Sequence, residues 1–117
     1  MRFIATLSLC LFSLINAAQA KQHHHHRGGH GMPWCGLFMR HNYGGPDPGP
    51  AFNLARRWAS WGARSSAQLG AIVVWPHHVG KIVGQQNGQW LVLSGNDGGR
   101  VRIRPRSLAG VIAIRTI

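Results

Sequence analysis

Gly70-Ala71-Ile72-Val73-Val74-Trp75-Pro76-His77-His78-Val79-Gly80-Lys81-Ile82-Val83-Gly84 is the stretch on which the fold turns. Ala71–Trp75 is a short β-branched run, and Pro76, which has no N–H to give a ladder, ends it. His78–Gly84 resumes as a second strand. Asn87-Gly88 follows, a dipeptide suited to the left-handed backbone of a tight hairpin, and then a third strand, Gln89–Ser94. A second turn, Gly95-Asn96-Asp97-Gly98-Gly99, leads into Arg100–Arg104, where Arg alternates with Val101 and Ile103. That alternation predicts a half-buried strand with apolar residues inward and arginines outward. Val111–Arg115 closes the chain as a last strand. The short connections predict an antiparallel meander.

Upstream of the strands the pattern is helical. Pro33-Trp34-Cys35-Gly36-Leu37-Phe38-Met39-Arg40-His41 reads as a short helix, with Leu37, Phe38 and His41 spaced as one face and Pro33 in the position proline favours. Asn42–Pro50 is rich in Gly and Pro and reads as a loop. Phe52–Trp61 reads as a second helix, with Asn53 as N-cap and Gly62 just past its end; Trp58 and Trp61 read as core. Helices first and strands after predict an α+β domain over residues 32–117, with N-terminal helices packed on a C-terminal antiparallel meander.

The preceding residues read differently. Met1–Ala20 has a basic start, an apolar run from Phe3 to Ile15 and an Ala18-Gln19-Ala20 cleavage pattern, so it reads as a secretory signal peptide. The apolar run is shorter than the roughly 20 residues of a membrane span, so no transmembrane segment is expected after cleavage. Localisation is then secreted or periplasmic. Residues 21–31 lack apolar side chains and read as a disordered tail. Its His23, His24, His25, His26 and His30 are weak, adventitious metal ligands, since a site needs ligands held in fixed geometry. No cofactor is called for.

Charge is lopsided: 13 Lys and Arg stand against 2 acidic residues, for a formal net charge of +11. Such a chain favours anionic partners, and with export these are peptidoglycan or another anionic envelope polymer. Nucleic acid ranks last, because the strands after the second turn carry no aromatic residue to interleave with arginine.

Cys10 leaves with the signal, so Cys35 is the one thiol of the mature chain and has no internal disulfide partner. At a helix N-terminus free N–H groups and the helix dipole favour a thiolate, and a thiol nucleophile also needs an imidazole and a polar group to orient it. His77 or His78 at a strand start, and Ser94, Asn96 or Asp97 after the next strand, are the residues available for those parts.

An ordered set of segments carries a family resemblance: Pro33-Trp34-Cys35, Ala55–Gly62, Gly70–Trp75, His78–Gly84, Leu91–Asn96 and Ile112–Arg115. Together they resemble the small CHAP-like proteins (cysteine, histidine-dependent amidohydrolase/peptidase), relatives of the NlpC-type papain-like hydrolases. The resemblance implies a papain-like fold and a cysteine amidase or endopeptidase acting on peptidoglycan. It also implies Cys35 as nucleophile, His78 rather than His77 as general base, and Asn96 as orienting residue, with Asp97 and Ser94 as alternatives. Family members often carry an acidic residue where Ser94 stands, and two small residues where Gly36-Leu37 stands. The implied chemistry is attack by the Cys35 thiolate on an amide carbonyl, with His78 serving the leaving amine and then water.

Two other functions compete. A catalytically idle module would use Arg100, Arg102, Arg104 and Arg106 to hold an anionic envelope polymer. A periplasmic metal handler would rely on the histidine tail.

Overall fold

The computed structural model describes residues 33–117. The signal segment, Cys10 and the histidine tail lie outside the described residues. Among the described residues the chain is α+β, with one α-helix, two 3₁₀ helices and a six-stranded antiparallel sheet. The elements run α1 (Cys35–Asn42), 3₁₀ helices at Pro50–Asn53 and Ala55–Ser60, β1 (Ala63–Arg64), β2 (Ile72–Trp75), β3 (His78–Gln86), β4 (Gln89–Ser94), β5 (Arg102–Arg106) and β6 (Ala113–Thr116). The sheet order is β1-β6-β2-β3-β4-β5.

From β2 to β5 the sheet is the expected meander. Trp75 pairs with His78 across a two-residue turn at Pro76-His77. Asn87 and Gly88 both adopt positive φ, 51° and 76°, as a tight hairpin between β3 and β4 requires. The last strand departs from a simple meander. β6 crosses back to pair with β2, Val73 opposite Ile114, and β1 adds on its far side. The two-residue β1 carries too little pattern to be read from sequence.

α1 begins at Cys35 rather than at Pro33, which lies before the N-cap Trp34, and its buried face is set one residue off. Cys35, Gly36, Phe38 and Met39 are buried, while Leu37 and His41 face solvent. The helix is fixed to the sheet at three points. Cys35 meets the start of β3, and the side chains of Phe38 and Trp34 press on Gly95 just past β4. At the other end Lys81 Nζ donates to the Tyr43 carbonyl at 2.9 Å. Gly36 answers a packing demand: a Cβ there would lie 2.2 Å from the Asn53 carbonyl oxygen and 2.4 Å from that of Phe52.

The second expected helix is not α-helical. Residues 50–60 form two 3₁₀ helices divided at Leu54, whose backbone is extended (φ −79°, ψ 121°). The cause is tertiary. The Trp58 indole donates to the Phe52 carbonyl at 2.8 Å, the group a continuous α-helix would give to the backbone. Trp58 is fully buried and meets Tyr43, Phe52 and Trp61 at ring separations of 5.2–5.5 Å. Asn53 does not cap; its Oδ1 accepts from Arg40 Nη1 at 2.8 Å. Arg40 also forks onto Asp47, with both contacts at 2.8 Å, which pins the Asn42–Pro50 loop to α1.

The core has two parts. On the helix side Ile72, Val74, Val79 and Val101 pack with Cys35, Phe38, Met39 and Trp58. On the other face Ala71, Val73, Ile82 and Val92 form a smaller cluster flanked by Trp75 and Trp90. The arginine strand runs Arg102–Arg106 rather than Arg100–Arg104. Its arginines do not form an open outward row, because the turn after β4 brings Asp97 onto the face they share. Arg104 forks onto the Asp97 carboxylate with both bonds at 2.7 Å. Arg102 Nε donates to the Asp97 carbonyl at 2.8 Å.

Two substitutions test this packing. Trp58→Ala should destabilise the domain by about 3–5 kcal/mol, the cost of emptying a fully buried large aromatic site. Gly36→Ala should cost about 1–3 kcal/mol, because the added methyl meets backbone oxygens that have no room to move. Equilibrium denaturation reads both; an unchanged midpoint for Gly36→Ala would show that the carbonyl wall yields.

Candidate functional site

α1 places Cys35 at its first turn, where N–H groups have no helical partner; the first helical bond, Phe38 N–H to the Trp34 carbonyl, is 2.9 Å. The Cys35 side chain then runs against the start of β3. Sγ lies 3.9 Å from the His77 carbonyl oxygen, with the Val79 N–H directed at it from the other side of His78. The thiol therefore touches the backbone on both flanks of His78 but makes no hydrogen bond to its ring, which keeps company with Trp75, Arg106 and Asp97. Cys35 is a free cysteine and only 1% exposed.

The electrostatics of the thiol differ from the sequence expectation. Burial raises its pKa, and this outweighs the lowering by the N–H groups of Val79, Gly36 and Cys35 itself. The helix-start amides do aim at the sulfur, as the sequence suggests, but the resting group is a thiol.

His78 opens β3 and packs beside the Trp75 ring at 5.9 Å. Its Nε2 is buried and has no hydrogen-bond partner. Its pKa is lowered to about 4, first by burial and then by the charge of Arg106, opposed by Asp97, with Arg104 adding to the lowering. The resting imidazole is thus neutral at physiological pH, with one ring nitrogen left unpaired.

The three polar candidates after β4 part ways. Ser94 is fully buried, and its Oγ has no partner. It sits across from Gly80, whose Cβ, if present, would lie 3.4 Å from that of Ser94. Asn96 lies two residues past β4, half-buried, in the left-handed region at φ 53°, a conformation Asn tolerates. Continuing the β3–β4 register beyond Lys81–Leu93 sets Asn96 across from His78. Asp97 is buried and already engaged. Burial works to raise its pKa, but the hydrogen bonds and charge of Arg104, with the charges of Arg106 and Arg102, hold it below the usual carboxylate range. Asp97 reaches His78 through its field, while its oxygens serve Arg104. His77 contributes a carbonyl to the site rather than its ring.

The cationic strand face is legible in the sequence, but its partners Asp97 and Trp75 are not. Arg106 lies over the Trp75 ring, 4.6 Å from its centroid, so an aromatic from β2 interleaves with the arginines of β5. The signal was the period-2 placement of Arg102, Arg104 and Arg106, but the strand pairing that brings Trp75 to them is not local. A separate groove of about 420 Å³ is lined by Ala59, Arg64, Ser65 and residues 111–115. It holds none of the candidate residues.

Comparison of the chain with protein-family models, curated proteins and solved structures gives no match. Among the described residues no three His, Cys, Asp or Glu side chains gather into a metal-binding group, and no helix is long and apolar enough to cross a membrane.

The shift on His78 makes a pH prediction. A native pKa of about 4 against the ordinary 6.5 means the unfolded chain takes up this proton first as pH falls. The stabilisation is complete above about pH 6.5 and is lost progressively between there and about pH 4. Urea denaturation at several pH values should show that decline, and His78→Gln should flatten it. An equal slope in the variant would mean His78 does not titrate as its surroundings require.

Proposed function

We propose that this chain is an exported cysteine hydrolase of papain-like architecture, cleaving amide bonds of peptidoglycan with Cys35 as nucleophile, His78 as base and Asn96 as orienting residue. The observation that carries this reading is the docking of Cys35 Sγ on the backbone either side of His78, at 3.9 Å from the His77 carbonyl. A lone buried cysteine packed as a hydrophobe has no need of helix-start amides and a histidine-bearing strand converging on its sulfur. The unpaired Nε2 of His78 supports the same reading, since a structural histidine buried this way ordinarily finds a partner. The CHAP-like resemblance of the ordered segments supports the substrate class.

The chemistry follows from the two shifted groups. With the thiol protonated and the imidazole neutral, His78 acts as a general base: it takes the thiol proton as sulfur attacks the amide carbonyl. Carbon–sulfur bond formation gives a tetrahedral oxyanion, which N–H groups at the start of α1 stabilise. The imidazolium returns its proton to the departing amine as the carbon–nitrogen bond breaks, leaving a thioester. Water, deprotonated by neutral His78, then releases the acid and restores the thiol. Asn96 accepts from the imidazole and fixes its orientation. Ser94 and Asp97 are less suited to that part, Ser94 because it lies opposite Gly80 and Asp97 because Arg104 holds its oxygens.

The idle binding module fits less well, because three of its four arginines turn onto or beside Asp97.

Release of new amines from purified peptidoglycan by the folded chain tests the proposal. Cys35→Ala should abolish it, and His78→Ala should lower it by about 10²–10⁴-fold. Asn96→Gly, which keeps the backbone at φ 53° accessible, should cost less than His78→Ala and leave stability intact. Release that persists in Cys35→Ala, or its absence from the wild type on any wall fragment, would overturn the assignment.

A further inference from the structure

Three guanidinium groups surround one carboxylate beside His78. Arg104 takes both oxygens of Asp97, and Arg102 takes its carbonyl. Arg106 is left without a hydrogen bond among the described residues; its Nη1 stops 3.8 Å from Asp97 Oδ2. Yet Arg106 is not a loose surface side chain. Its Cζ lies over the Trp75 ring, 4.6 Å from the centroid, and Trp75 is itself fixed by its indole N–H donating to the Ala109 carbonyl at 3.1 Å. The Arg106 side chain is 22% exposed, so it is held against the protein yet still in contact with solvent. Asp47, the other acidic residue of the chain, is held by Arg40 and belongs to the loop after α1. Within the chain the cluster is therefore short of negative charge.

A guanidinium stacked on an aromatic, short of counter-charge and beside the base of a hydrolytic site is a receptor for a planar anion. We propose that Arg106 is a specificity residue that takes a free carboxylate of the peptide substrate by a forked pair of hydrogen bonds. This rests on the hydrolase reading above for the identity of the substrate, but the binding event stands on the cluster alone. Peptidoglycan stem peptides carry free carboxylates close to their scissile amides, so the receptor suits that substrate class.

The groups that face His78 are Arg106 and Arg104 from β5, Asp97 from the turn after β4 and the Trp75 ring from β2; Cys35 lies against the backbone on its two flanks. Both arginines oppose a proton on the imidazole. A carboxylate on Arg106 offsets that field, so occupancy makes His78 a stronger base when substrate is present. Recognition and activation are thereby linked through one charge.

The test uses the full chain carrying Cys35→Ala, which cannot turn over, titrated with N-acetylalanine and, separately, N-acetylalaninamide at constant ionic strength. The His78 imidazole resonances are followed by NMR. The acid should bind saturably and the amide at least about tenfold more weakly, the size of one charge-assisted hydrogen bond. The acid should also move the His78 titration upward from about 4. Arg106→Gln should reduce affinity for the acid about tenfold and leave the amide unchanged. Equal affinity for acid and amide in the parent protein overturns the proposal without recourse to any Arg106 variant, and so does unchanged acid binding in Arg106→Gln. Carboxylate binding as expected, with no peptidoglycan cleavage by the wild type, would keep the receptor and reject the hydrolase. Cleavage without a carboxylate preference would do the reverse.

Discussion

The contact between the first turn of α1 and the start of β3 governs the rest of the molecule. It joins the helical half to the sheet, and it sets the one free thiol among the described residues against a histidine-bearing strand. Neighbouring features serve it. Gly36 lets the carbonyls of Phe52 and Asn53 close over the helix, and Gly95 lets Phe38 and Trp34 reach the sheet. Lys81 ties the far end of α1 back to β3 through the Tyr43 carbonyl. A side chain at either glycine would lift the helix and carry Cys35 away from His77 and Val79.

Burial then decides the protonation states. A Cys at a helix start inclines toward thiolate, but desolvation wins and the resting sulfur is protonated. The same desolvation, with Arg106, empties His78 of its proton. Both groups therefore rest uncharged, the thiol with its proton and the imidazole without one. The cluster around Asp97 supplies a field on His78 that a ligand's charge can alter.

Much of the fold was legible because it is local. The β-branched run ended by Pro76, the Asn87-Gly88 turn and the Gln89–Ser94 strand appear where their residues place them. What escaped is what distant residues impose. The second helix became two 3₁₀ helices because Trp58 captures the Phe52 carbonyl. The arginines of β5 converge on one carboxylate because an acidic residue from a neighbouring turn meets them. β6 crosses back to β2, a pairing that no short-range pattern records. For the site, Cys35 and the start of β3 were readable as types and spacing, while the Trp75–Arg106 stack depends on the hairpins folding together.

The proposal that His78 serves Cys35 as its base is tested most directly by the rate of Cys35 alkylation by iodoacetamide as a function of pH, in the wild type and in His78→Ala. A general-base pair predicts a rate that rises as His78 loses its proton, with a midpoint near 4, and falls steeply in the variant. A rate that follows only the thiol's own ionisation, above the ordinary 8.5, and is identical in His78→Ala would contradict it.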